Sequence, residues 1–105
     1  MEPDPKIRPY HAGDLNGVLE ILRAALGESP ILQRTSELWA WKHQLNPFGP
    51  SLILVAEVAG RLAGVRALMR WELSLPDGSR LRCLRAVDTA THPQFERRGI
   101  FRKLT

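Results

Sequence analysis

Cysteine is almost missing from this 105-residue sequence. Cys83 stands alone, so no disulfide can close within the chain. That usage suits a reducing compartment, and a cytoplasmic address is expected. No apolar run is long enough to span a bilayer, so no membrane partner is expected. The opening "MEPDPKIRPY" lacks the apolar stretch of a signal peptide. The common nucleotide loops, GxxxxGK[ST] and GxGxxG, are both absent. No set of Cys, His and carboxylate side chains has metal-ligand spacing, so no metal is expected. Repeats, linkers and low-complexity segments are also lacking. The length allows one domain at most.

What is present is ordinary globular material, 44% apolar and 25% charged. The net charge of +4 is unevenly spread. Residues 1–79 carry 8 Lys+Arg against 9 Asp+Glu, whereas residues 80–105 carry 7 against 2. A local positive field of this kind suits an anionic ligand such as a nucleotide, a cofactor phosphate or a nucleic acid. A solvated basic face explains the same charge more simply.

The apolar pattern changes period along the chain. "KIRPY" (6–10) predicts a short strand, limited by Pro9 to an edge or a strand end. Leu15, Val18, Leu19, Leu22 and Leu26 form one face of a helix. Asp14 near its start complements the helix dipole, and Gly27 is its stop. Thr35 or Ser36 can cap a second helix, with Leu38, Trp41 and Leu45 at helical spacing. "SLILVAEV" (51–58) predicts a strand buried on both faces. A tight turn at "AGR" (59–61) leads to a long strand, in which Gly64 suggests a bulge. "PDGS" (76–79) is a turn, and "RLRCLRAVDTAT" (80–91) completes a hairpin. The expected class is α+β, in the order β-α-α-β-β-β-α with a mostly antiparallel sheet.

The last segment, "HPQFERRGIFRKLT", carries the chemistry. Pro93 ends the strand, and Arg97, Arg98 and Gly99 precede a helical pattern of Ile100, Phe101 and Leu104. A helix start offers unpaired N–H groups to an anion, a Gly lets the anion approach, and arginines add charge. On its own this is a candidate phosphate or pyrophosphate site, and an ordinary turn would read the same way.

The order of elements before "ERRGIF" narrows the choice. A strand ending in "VDTATHP" that runs into this loop resembles the GNAT superfamily of acyl-CoA N-acyltransferases. "IRPYHAGDLNGVLEILRAAL" is similar to that family's first strand and helix, and "LVAEVAGRLAGVRALM" to its second and third strands. "WAWKHQLNPFG" resembles a subset with Trp-x-Trp-Lys on the second helix. The family's loop reads Arg/Gln-x-x-Gly-x-Gly/Ala. Glu96 stands here at its first position and Phe101 at its last, and the match asks the Phe101 ring to turn into the core.

The resemblance implies coenzyme A, as acetyl-CoA, for the acyl donor. Thr89, Ala90 and Thr91 would pair with the pantetheine arm. Arg97, Arg98, Gly99, Ile100, Phe101 and Arg102 would surround the pyrophosphate. The implied reaction is direct transfer to a small-molecule or peptide amine, with a strand N–H such as that of Thr89 stabilising the oxyanion. In the family, further elements follow the loop helix, including a helix that commonly bears a Tyr acting as acid. They have no counterpart here, so the resemblance implies a single, incomplete domain over residues 1–105. An inactive fragment and self-association through an open sheet edge are expected.

Asp88 is the candidate general base, provided that burial raises its pKa; the alternative is a hydrogen-bonded structural Asp. Glu72 is a weaker candidate of the same kind. Nothing in the spacing gives Cys83 a partner among His11, His43 and His92, so a core thiol is expected. Trp39 and Trp41 suit packing or a substrate pocket. The other functional class is a small basic module for nucleic acid or another polyanion. It is disfavoured because the tryptophans, the strongest candidates for base-stacking platforms, lie before residue 80 and away from the basic C-terminal segment.

Overall fold

The computed structural model describes residues 4–105, so the first three positions of "MEPDPKIRPY" lie outside the described residues. Strand β1 (Lys6–Pro9) is followed by helix α1 (Leu15–Leu26) and helix α2 (Ser36–His43). Strands β2 (Leu52–Val58), β3 (Arg61–Ser74) and β4 (Arg80–Thr91) come next, and the short helix α3 (Ile100–Leu104) last. The strands form one antiparallel sheet in the order β1-β2-β3-β4.

Local chemistry explains most boundaries. Asp14 stands at the N-cap of α1 and receives both terminal nitrogens of Arg8 at 2.8 Å, which ties β1 to the helix. Gly27, at φ 79°, closes α1 by donating its N–H to Arg23 O. Thr35 caps α2, its Oγ1 accepting from the Leu38 N–H at 3.1 Å. Ala59 and Gly60 both have positive φ (51° and 80°), as a two-residue hairpin turn with the strands' own twist requires.

Two apolar layers hold the sheet. Val18, Leu19, Ile21 and Leu22 of α1, with Trp39 of α2, cover Val55, Val65 and Ala90 on one face. On the other face Phe95, Ile100 and Leu104 cover Ala56, Val58 and Ala63. The bulge expected at Gly64 lies beside it, where the β2–β3 register shifts between Ala56 and Glu57. Gly64 serves a close approach: a Cβ there would meet Ile100 Cγ2 at 2.8 Å and Leu104 Cδ1 at 3.0 Å.

Two sequence expectations are corrected. The inward face of α2 is Trp39 and His43, whereas Trp41 is 68% and Leu45 71% exposed. Strand β2 is buried on both faces only around Val55, Ala56 and Val58; Leu52 and Leu54 stay exposed. The five-residue α3 is too short to reach them. Beyond Leu68, the last β3 residue paired with β2, strands β3 and β4 continue as a two-stranded ribbon.

Candidate active site

The site begins where β4 breaks its pairing. Val65 pairs with Ala90, but Ala67 pairs with Val87, so Asp88 and Thr89 together oppose Arg66. This is a bulge, and Asp88 takes the left-handed conformation at φ 45°. Asp tolerates that region better than most residues.

Three cationic or imidazole groups grip the Asp88 carboxylate. Lys42 Nζ donates to Oδ2 at 3.0 Å, and His43 Nε2 lies 2.8 Å from the same oxygen. Arg34 stands 3.7 Å from Oδ1. The His43 ring is fully buried; its Nδ1 lies 2.7 Å from Ser51 Oγ. An ionised carboxylate only accepts, so Nε2 carries the proton toward Asp88. Burial pushes the Asp88 carboxyl up, but the hydrogen bonds from His43 and Lys42 outweigh it, and the net shift is downward. The raised pKa on which a general-base role for Asp88 depends is therefore not met.

The chain then enters the loop. The His92 N–H bonds back to Ala63 O at 2.7 Å. Alternation along an antiparallel strand then turns the Thr91 peptide group outward, to the edge of β4 that no other strand of the sheet covers. Thr91 Oγ1 is buried without a hydrogen-bond partner, and Ala90 is packed in the core. Thr89 Oγ1 donates to Val87 O at 3.2 Å.

Arg97 (φ 65°) and Gly99 (φ 73°) are both left-handed, and they fold the loop onto the start of α3. A Cβ on Gly99 would meet nothing within 4 Å, so the space over this backbone is open. The first amides of α3 have no acceptor within the helix. Arg98 lies over the Phe95 ring at 5.2 Å, with Arg61 over the same ring at 5.3 Å. Ile100 and Leu104 point inward, whereas Phe101 is 57% exposed. The expected inward turn of the Phe101 ring does not occur.

Thr89, Ala90 and Thr91 end β4, and a short turn at Pro93–Phe95 separates them from the loop and helix that hold residues 97–102. The structure does not bring Glu72 to them: Glu72 lies on the ribbon and accepts from Arg80 at 3.0 Å. Cys83 pairs across the ribbon with Trp71, and among the described residues no histidine bonds to it. Sequence reasoning missed Arg34, Lys42, His43 and Ser51. The signal available was the i, i+4 spacing of Trp39 and His43 within "WAWKH".

Comparison with known proteins fits this geometry. The family model described as an acetyltransferase (GNAT) domain matches residues 6–105. The chain belongs to the GNAT acetyltransferase family. Among solved structures it is similar to a conserved protein of unknown function from Enterococcus faecalis V583, at 10% identity and TM-score 0.75. It is also similar to an acetyltransferase from Trypanosoma brucei, at 21% identity and TM-score 0.66. A third likeness is to glucosamine-6-phosphate N-acetyltransferase from Arabidopsis thaliana, at 17% identity and TM-score 0.67. At these identities the likeness is one of fold. The three alignments cover 97%, 96% and 97% of this chain but 24%, 69% and 69% of the other chains. No curated protein matches. Among the described residues, no group of three or more His, Cys, Asp or Glu could hold a metal ion, and no helix is long and apolar enough to cross a membrane.

Proposed function

We propose that this domain takes part in transfer of an acetyl group from acetyl-CoA to an amine, with the donor held along β4 and at the start of α3. The observation that carries the reading is the loop backbone. Arg97 and Gly99 are left-handed, the space beside Gly99 is open, and the loop lies in the most cationic part of the chain. A diphosphate fits there through N–H groups rather than side chains, which suits a loop that has Glu at position 96 and Phe at 101. Arg97, Arg98 and Arg102 supply the charge, and Ile100 anchors the helix. Thr91, with an outward peptide group, suits the amides of a pantetheine arm, and Thr89 and Ala90 continue that edge.

The donor supplies an activated thioester. Attack by the amine nitrogen forms the C–N bond, the C–S bond breaks, and the thiolate takes up the proton that the amine gives up. The Thr89 N–H at the bulge is the candidate donor to the oxyanion. Asp88 enters as the ionised anchor that fixes the bulge, a positioning role. The lone Cys83 suits a reducing, cytoplasmic setting. The free β4 edge, flanked by exposed Leu81 and Leu84, suits self-association of the chain.

Hydrogen exchange provides the test. Coenzyme A should slow exchange over residues 89–102, and Gly99→Glu should abolish that protection while the chain stays folded. Protection by an oligonucleotide of equal charge but not by coenzyme A would overturn the reading in favour of a polyanion-binding module.

A further inference from the structure

A cleft on the α2 face of the sheet is left over by this account. Its walls are Trp41 of α2, Leu45, Pro47 and Phe48 of the following loop, and Met69 and Trp71 of β3. It offers about 390 Å³, and Lys42 also lines it. We infer that this cleft binds the acceptor, and that the acceptor is an amine carrying an aromatic or branched apolar body and a carboxylate. The inference rests on the acyl-transfer reading and adds the substrate class.

Three observations lead there. The first is size and lining: small-molecule sites are concave, largely apolar and about 300–1,000 Å³. This one presents three aromatic rings and a methionine, a surface that packs well on a flat or branched apolar group. The second is preorganisation. Asn46 Nδ2 donates to Arg70 O at 2.8 Å while its Oδ1 accepts from the Phe48 N–H at 3.0 Å. That fixes the loop, and Phe48 meets Trp71 edge-on with ring centroids 6.0 Å apart. The cleft is therefore held open although its walls are apolar.

The third observation is charge and position. Lys42 lines the cleft and its ammonium bonds Asp88 at the bulge, so a single side chain links the cleft wall to the strand edge that the proposed function assigns to the donor. Lys42, which lines the cleft, shares the Asp88 carboxylate with Arg34, which lies outside it, so two positive charges face one negative charge. The surplus favours an acid group on the ligand. A polyamine is disfavoured, because its charges would be desolvated against apolar walls with no carboxylate to pair with.

Calorimetric titration of the whole 105-residue chain with L-phenylalanine, without any acyl donor, tests the idea. One saturable site is expected. Affinity should fall at least tenfold, by the logic of one lost anchor, for 2-phenylethylamine, which lacks the acid, and for L-alanine, which lacks the ring. Trp71→Ala should weaken phenylalanine binding similarly. Leu45→Ser, at a 71% exposed position, gives a second variant whose folding is not at issue. The inference falls if phenylalanine shows no saturable binding, if both variants bind it as the parent does, or if spermidine binds more tightly. Coenzyme A protection without phenylalanine binding would leave the transfer reading standing and remove this one. Phenylalanine binding without coenzyme A protection would remove the transfer reading and, with it, the assignment of the cleft to an acceptor.

Discussion

Replacing Asp88 separates charge from backbone at the centre of the site. Asn keeps one carbonyl oxygen for the His43 Nε2–H and tolerates φ 45° about as well as Asp. What it loses is the anion that Lys42 and Arg34 face at 3.0 and 3.7 Å. Hydrogen bonds to charged groups contribute about 1.5–3 kcal/mol and neutral ones about 1 kcal/mol. Lys42 is 26% exposed, which screens its share. Asp88→Asn should therefore cost about 2 kcal/mol, or roughly 8–10 °C in Tm for a domain of this size. Asp88→Ala strands the partners and puts a left-handed backbone under Ala. It should cost about 4 kcal/mol, of which roughly 1 kcal/mol is conformational.

The pH dependence follows from the sign of the shift. Burial raises the Asp88 carboxyl, but His43 and Lys42 lower it more, so its folded pKa lies below the unfolded value. A group depressed in this way contributes fully above its unfolded pKa of about 4, and the contribution is lost as pH falls through the folded pKa. The gap between the parent chain and Asp88→Asn should hold at neutral pH and narrow steadily below about pH 4. Urea unfolding followed by tryptophan fluorescence measures it. A gap under about 0.5 kcal/mol at neutral pH, or one that persists unchanged at about pH 3, would refute the ion-pair argument.

Other consequences can be checked in the same preparations. Gly64→Val should push α3 off the sheet, since even a Cβ meets Ile100 at 2.8 Å. The expected loss is about 1–3 kcal/mol together with the coenzyme A protection of the loop, and unchanged protection would count against the coupling. Ala59→Asn at an exposed turn position with φ 51° should stabilise the chain by about 1 kcal/mol, read as a shift in the urea midpoint. On the proposed placement of the donor along the free edge of β4, where water has access, the 105-residue chain should show no measurable acetyl transfer as a monomer. It should sediment as a concentration-dependent mixture. Turnover by a stable monomer would contradict both expectations.

Features decided by near neighbours were legible in the sequence. The inward face of α1, the Thr35 cap, the Gly27 stop, the bounds of β4 and the turn at Ala59–Gly60 all depend on residues within one or two turns of each other. The face of α2 was not legible. Leu38, Trp41 and Leu45 have helical spacing, yet the helix turns Trp39 and His43 inward. A buried histidine needs polar partners, and those of His43 are Ser51, at the start of the next strand, and Asp88, 45 residues away. A hydropathy pattern counts His43 as polar and so assigns it outward. The ionisation of Asp88 was hidden for the same reason: burial alone predicts a raised carboxyl, and the opposing cations come from other elements.

The two failures share one cause, which bears on the site. Asp88 occupies a backbone region unfavourable to most residues, at the bulge that interrupts the pairing of β4. Such a conformation persists where the surroundings hold it. Here the hold is electrostatic and comes from α2 and from Arg34 just before it, so the helix face that looks wrong by hydropathy is the one that clamps the bulge. Replacing His43 with leucine would improve the apolar pattern of α2 while removing the N–H that Asp88 accepts. Stability alone would favour a conventional apolar face at that position. A buried polar clamp on a left-handed residue is consistent with the role proposed above for the strand edge beside Thr89 and Thr91.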